Sequence, residues 1–138
     1  MICVCWLIYI CVGCWMFTPD SVSGTLIHDD TESLHTLASD VHAANGVVAR
    51  GLGLMFRRNL PDEYALLFPF STASPAQLHM VGVPFDIDAI WLVNDRVQSV
   101  KRLSAWTGHG SESADVVIEL PAGAASEVSV GDQVFVED

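Results

Sequence analysis

The feature that most constrains the fold of this chain is a pair of strand-like segments, residues 86–93 and 96–103, joined by only two residues. The joining residues, Asn94 and Asp95, tolerate the positive φ angles that two-residue hairpin turns require. We therefore predict an antiparallel hairpin over residues 86–103. Its second segment carries several charged side chains, so the hairpin must have at least one face or edge in solvent.

Further strand-like segments lie on both sides of this hairpin, and turn residues separate them at close intervals. We predict strands at 25–30, 34–38, 64–70, 77–81, 115–120 and 133–137. Six or seven short strands with little helix indicate a mainly β fold, either a small antiparallel β-sandwich or a barrel-like domain.

One or two short helices are expected beside these strands. Asp40 can cap a helix whose apolar residues at 41, 44, 48 and 52 share one face, although Asn45-Gly46 would alternatively mark a hairpin turn. Pro121 suits the first position of a second helix, which would run through Ser126.

The charge balance argues against a polyanionic partner. Residues 25–138 carry sixteen Asp and Glu against six Lys and Arg. Such a surface repels phosphate backbones and anionic lipid headgroups, so nucleic acid is excluded as the expected partner. Lys101 is the only lysine, and acid excess combined with lysine poverty is typical of a protein from a high-salt cytoplasm.

Residues 1–17 are apolar and uncharged, and the composition changes after Pro19. A secretory signal needs a positive n-region, whereas the first Lys or Arg is Arg50. We expect residues 1–24 to be a leader outside a single domain of residues 25–138. The leader is either a start assigned too far upstream, which makes the protein cytoplasmic, or a membrane anchor formed by residues 1–17.

All four cysteines lie in this apolar leader, at Cys3, Cys5, Cys11 and Cys14. A metal site there is the least favoured interpretation, because zinc sites need polar loops and turn residues that this run lacks. The domain has no cysteine, so its fold is indifferent to the redox compartment.

Three groups of residues, in order along the chain, resemble the motifs of a known family. They are GLMFR at 53–57 with Leu-Pro at 60–61, His-Met at 79–80 with PFDI at 84–87, and ELPAG at 119–123 with GDQV at 131–134. Together they resemble the uncharacterised family called domain of unknown function 192, or uncharacterised protein family 0127.

This resemblance implies a small β-rich domain and no agreed activity. The chain departs from the family pattern at two places. Val81-Gly82 stands where relatives commonly have Lys-Asn, so any site that depends on that lysine would be missing here. Asp95 stands where the family usually has a hairpin glycine.

One candidate site combines His79 with Asp86 and Asp88. The two aspartates are two residues apart on a predicted strand, so they share a face. His79, on the preceding strand, could lie beside them and form a cluster for a divalent metal or for acid–base chemistry. The alternative is structural: Asp86 would cap a turn and Asp88 would face solvent.

A second candidate cluster, for a ligand or for structure, contains Arg57, Met80, Asp86 and Glu119. Arg57 could pair with Asp86 or Glu119, or bind a small anion. Met80, together with Met55, Phe56 and Trp91, could line a ligand cleft, although ordinary core packing explains these residues equally well. No cofactor is implied.

Trp106 and His109 lie in a predicted polar loop, 104–114, where they are candidates for contact with a partner, although a Trp packed over a sheet edge is just as common. The domain lacks a nucleophile elbow, a phosphate loop, a zinc-protease motif and a dinucleotide fingerprint. We therefore predict a non-catalytic module that binds a small ligand or a protein. The alternative is a metal-dependent or hydrolase-type enzyme that uses His79, Asp86 and Asp88.

Overall fold

The computed structural model describes residues 20–22, 24–44 and 59–137. Nine strands make up the regular structure of this part of the chain: β1 Asp20–Ser21, β2 Thr25–Asp29, β3 Leu34–Ala38, β4 Asp40–Ala43, β5 Tyr64–His79, β6 Ile87–Val93, β7 Arg96–Leu103, β8 His109–Pro121 and β9 Gln133–Glu137. The mainly β prediction is confirmed.

The strands form one sheet in the order β1-β4-β5-β8-β6-β7-β9-β2-β3. Neighbouring strands are antiparallel, except that β4 and β5 are parallel and are connected through residues 44–63. The sheet is therefore mixed rather than wholly antiparallel. Two residues of the predicted leader, Asp20 and Ser21, form the edge strand β1.

The hairpin prediction is confirmed, with φ angles of 50° at Asn94 and 64° at Asp95. The predicted bounds also hold for β3, β7 and β9. In contrast, the two strands predicted over 64–81 are one long strand, β5, because the chain passes through an irregularity between Pro69 and Ser74 and then resumes its pairing with β8.

The helix predictions are wrong for the residues that can be checked. Asp40–Ala43 is the strand β4, in which Val41 and Ala43 alternate into the interior; the remainder of that predicted helix falls outside the described residues. The segment after Pro121 forms consecutive turns, since Gly123 has a φ of 93°, which a right-handed helix cannot contain.

Residues 64–66 of β5, 87–92 of β6 and 117–120 of β8 are buried on both faces, and two apolar clusters result. One includes Leu66, Met80 and Trp91. The other includes Leu26 of β2 and Val41 of β4, which lie near opposite ends of the sheet order. Because those two strands share one cluster, the sheet must curl around it, as the barrel-like prediction requires.

No helix within the described residues is long and apolar enough to cross a membrane. The predicted anchor, residues 1–17, falls outside them.

Candidate functional site

Asp88 is a buried carboxylate with three donors. It is 3% exposed and lies in β6 opposite Arg102 of β7. Arg102 Nε donates to its Oδ1 at 2.5 Å, while the backbone N–H groups of Gly123 and Ala125 donate to its Oδ2 at 2.9 and 3.1 Å. The carboxylate thus ties two neighbouring strands to the turn after β8, and the expectation that Asp88 faces solvent is wrong.

The same contact affects Arg102. The hydrogen bond to Asp88, followed by the charge of that carboxylate, raises the pKa of Arg102 above its ordinary value. Arg102 is half-exposed, so it closes the outer side of the buried carboxylate and keeps its own charge in contact with water.

Asp86 has a different role, although it precedes Asp88 by only two residues. It is exposed and its Oδ1 accepts the backbone N–H of Ala105 at 2.8 Å. It therefore holds the loop after β7 against the segment before β6, so the turn that it caps lies in that loop rather than beside Pro84, where the cap was predicted.

His79 ends β5 and lies directly opposite His109 of β8. Its Nδ1 accepts the backbone N–H of Val81 at 3.2 Å, so this ring nitrogen is already engaged in a hydrogen bond. Among the described residues, no group of three or more His, Cys, Asp or Glu side chains could hold a metal ion. His79 is thus engaged in a different set of hydrogen bonds from Asp86 and Asp88.

The second predicted cluster is only partly within the described residues. Met80 is 1% exposed and packs in the core with Trp91, as the core-packing interpretation expects. Glu119 is buried and lies opposite Ala89 in β6, about 10 Å along the strand from Asp86. Arg57, Met55 and Phe56 fall outside the described residues, so the pairing of Arg57 with a carboxylate stays a prediction.

Trp106 occupies an unusual backbone conformation in the loop after β7. Its φ is 66°, and the N–H of Thr107 donates to the carbonyl of Ala105 at 2.8 Å, closing a γ-turn around the tryptophan. A γ-turn with a left-handed central residue is rare and strained, more so for a bulky side chain. Despite this cost, the Trp106 side chain is 59% exposed.

Hydrogen bonds to a second segment hold this loop. Trp106 N–H donates to the Val83 carbonyl at 3.0 Å, and Met80 N–H donates to the Gly108 carbonyl at 2.9 Å. Val81, which lies between these bonds, is 51% exposed. We call the two segments together, residues 80–83 and 104–108, the tip.

Gly108 makes the tip compact. A Cβ at this position would stand 2.6 Å from the backbone nitrogen of Ser104 and 2.7 Å from its oxygen. Those backbone atoms cannot move aside without opening the loop. The tip is therefore built from close backbone contacts, and its two exposed apolar side chains, Val81 and Trp106, project from a fixed backbone.

The sequence reasoning missed a second polar pair, in which a buried histidine meets a partly exposed aspartate. His28 is fully buried, and its Nε2 lies 2.7 Å from Asp132 Oδ2, so the ring donates to the carboxylate. This bond, followed by the N–H of Ser129, lowers the pKa of Asp132. The signal was present in the sequence, because Leu26 and His28 are two apart on a strand and so share its inner face.

Comparisons with known proteins agree with this architecture. The model of the family DUF192, described as "Uncharacterized ACR", matches residues 27–136. The UPF0127 protein TK1120 of Thermococcus kodakarensis is 32% identical over 96 residues, which are 67% of this chain and 61% of that protein. This chain thus spans about three fifths of the length of that relative.

Two crystal structures share the fold. A candidate transcription regulator from Sinorhizobium meliloti 1021 superposes with a TM-score of 0.73 at 22% identity, over 86% of this chain and 97% of its own. A protein of unknown function from Novosphingobium aromaticivorans gives 0.70 at 22% identity, over 92% and 99%. With the family match over residues 27–136, the predicted resemblance is confirmed: the chain belongs to the uncharacterised family DUF192, also called UPF0127.

Proposed function

We propose that this protein is a non-catalytic binding module that binds a protein partner through the tip. The observation that carries the proposal is Trp106, a tryptophan that is more than half exposed at the centre of a strained γ-turn. A left-handed non-glycine residue costs about 1–2 kcal/mol, and such strain persists mainly where it serves a function.

The chemistry of the tip suits a protein partner. Trp is the side chain that most often dominates the binding energy of protein interfaces, where it anchors in a pocket of the partner. Val81 supplies a second apolar contact beside it. Because the hydrogen bonds of the tip fix the backbone that carries both side chains, little backbone entropy is lost when a partner arrives.

A small ligand or a nucleic acid fits the tip less well. Small-molecule sites are concave and bury most of the ligand, whereas Trp106 projects into solvent. Nucleic acid is disfavoured by the net charge of −11.

The enzyme alternative has less support. The Asp88 carboxylate already accepts three hydrogen bonds, and the Nδ1 atom of His79 accepts another. Asp86 accepts the N–H that holds the tip in place. Metal binding by these groups would have to replace bonds that stabilise the fold.

Site-specific photo-crosslinking tests the proposal. A benzophenone side chain is placed at position 107, where the exposed Thr107 lies beside an intact Trp106, and, in a matched control, at position 130, where Val130 is 69% exposed in the turn before β9. Both proteins are irradiated in lysate of the source cells. We expect a partner that crosslinks at position 107 and not at position 130.

Affinity measurements with the purified partner complete the test. Trp106→Gly removes the anchor while glycine keeps the left-handed backbone, so the variant should stay folded and lose at least about 30-fold in affinity, or about 2 kcal/mol. Identical crosslinks at both positions, or unchanged affinity of Trp106→Gly, would refute the proposed role of the tip.

We also propose a high-salt cytoplasm as the working environment, on the basis of the acid excess and the single lysine. Screening relieves the repulsion among the acids, so the free energy of unfolding should rise between about 0.1 and 1 M KCl. A free energy of unfolding that stays flat or falls over this range would contradict the proposal.

A further inference from the structure

Beyond the tip, the outer half of β5 and the first half of β8 form a two-stranded ribbon. Pairing runs from Ser74 opposite Ala114 to His79 opposite His109. No other described strand pairs with this part of either strand. Alternate residues point away from the core, and we call the surface that they form the ribbon face: Pro75, Gln77, His79, His109, Ser111 and Ser113.

The inner side of the ribbon is firmly packed. Ala76 and Leu78 are buried, and the Ala76 carbonyl accepts the indole N–H of Trp91 at 3.0 Å. Gly110 lies against the same indole, where a Cβ would stand 2.7 Å from Cη2. The ribbon face is therefore presented on a rigid support.

The ribbon face carries no Asp, Glu, Lys or Arg, which distinguishes it in a chain of net charge −11. Residues 64–85 contain no such residue, and the one acid of the ribbon, Glu112, lies on the alternate register and pairs with Lys101 at 3.2 Å. Acids are frequent elsewhere on the described surface, as at Asp30, Glu32, Glu63 and Glu127.

We infer that the ribbon face binds a second copy of this chain. Two molecules of net charge −11 repel each other, and this repulsion is weakest where neither surface carries an acid. Imidazole, amide and hydroxyl groups each act as both donor and acceptor, so the face can hydrogen-bond to a copy of itself around a two-fold axis. The ribbon face adjoins the tip at His79 and His109, but the inference does not depend on the proposed function.

The dimensions of the ribbon predict a weak dimer. Six residues extend about 20 Å, and two strands with their side chains cover about 10 Å across. The buried area per copy is then roughly a quarter of the 800 Å² of a standard interface. We expect a dissociation constant on the order of 100 µM, which high protein concentrations reveal.

Sedimentation velocity of the full chain over a concentration series tests the inference. The double variant Gln77→Glu with Ser111→Glu puts two acids on the ribbon face. The matched control, Thr36→Glu with Ser126→Glu, adds the same charge at exposed positions of other surfaces. All three proteins share residues 1–17, so association through that apolar segment is common to them.

We expect wild type and control to dimerise with similar affinity and the ribbon variant to bind at least tenfold more weakly. Dimerisation of wild type should also strengthen with added salt, because screening reduces the repulsion between the two acidic copies. Wild type that stays monomeric, or a ribbon variant that matches the control, would overturn the inference. Crosslinking at position 107 would be unaffected by either result.

Discussion

Asp86 and Asp88 differ strongly in their surroundings. The same substitution, to asparagine, should therefore lower the free energy of unfolding much more at Asp88 than at Asp86. Asp88→Asn removes the charge of a carboxylate that is 3% exposed and bound by one guanidinium and two backbone N–H groups. Asp86→Asn changes an exposed carboxylate that accepts one backbone N–H, from Ala105. It is therefore a control of identical chemistry two residues away.

The magnitude follows from the number and kind of bonds. A hydrogen bond to a charged group contributes about 1.5–3 kcal/mol and a neutral one about 0.5–1.5 kcal/mol, so each of the two backbone bonds to Asp88 loses about 1 kcal/mol. The asparagine must also turn one N–H₂ group toward a donor, which leaves a buried group unsatisfied. We expect Asp88→Asn to cost about 2–4 kcal/mol and Asp86→Asn less than about 1 kcal/mol, because an amide oxygen can still accept from Ala105.

Urea unfolding at neutral pH, followed by far-UV circular dichroism, measures both free energies. Equal m-values among the three proteins would show that the substitutions leave the surface exposed on unfolding unchanged, so the differences in free energy arise from the folded state. If Asp88→Asn cost no more than Asp86→Asn, the reasoning that Asp88 ties β6 and β7 to the following turn would be refuted.

Three further predictions concern single positions. Asp95→Gly should stabilise the protein by about 0.5–1 kcal/mol in urea unfolding, since glycine adopts the φ of 64° without the left-handed penalty; a loss of stability would contradict this. Gly110→Ala should destabilise by about 1–3 kcal/mol, because its Cβ would overlap the buried indole of Trp91, and unchanged thermal unfolding would count against that packing. The hydrogen bond from His28 depresses the folded pKa of Asp132 below 3.8, so its contribution is present above that value and is lost as the pH falls through the folded pKa. Asp132→Asn should therefore flatten the acid limb of a plot of unfolding free energy against pH. An unchanged slope would show that the His28–Asp132 pair does not contribute to the loss of stability in acid.

Local signals carried the strand predictions. Alternation and turn residues located β3, the β6–β7 hairpin and β9, because in these segments the sequence pattern and the tertiary environment agree. The apolar residues of the segment beginning at Asp40 have a spacing compatible with a helix, but Val41 and Ala43 also fit the alternation of a strand. The segment forms a strand because it pairs with β5. Parallel pairing across residues 44–63 is a long-range contact that no local pattern specifies.

The partner of Asp88 shows why site geometry was harder to predict. The two-residue turn at Asn94-Asp95 pairs Val93 with Arg96, and an unbroken register from there would place Asp88 opposite Lys101. An irregularity between Trp91 and Leu92 shifts the register by one residue, so Arg102 faces Asp88 instead. A one-residue shift in register moves every side chain to the other face of the sheet, and nothing in the local sequence predicts this shift.

The position of Trp106 was predictable only in part. Its polar, glycine-containing surroundings indicated a loop. Exposure of the side chain was one of two interpretations, the other being packing over a sheet edge. The γ-turn depends on hydrogen bonds to Asp86 and Val83, which belong to a different loop. Strain of this kind arises from tertiary structure, so composition alone could not reveal it.

Amide chemical-shift mapping by NMR, on addition of the partner captured at position 107, tests the binding role of the tip most directly. The account predicts that the perturbed amides cluster in residues 80–83 and 104–108 and that Trp106→Gly abolishes the perturbations. Perturbations centred elsewhere, for example on the turn between β2 and β3, would contradict it.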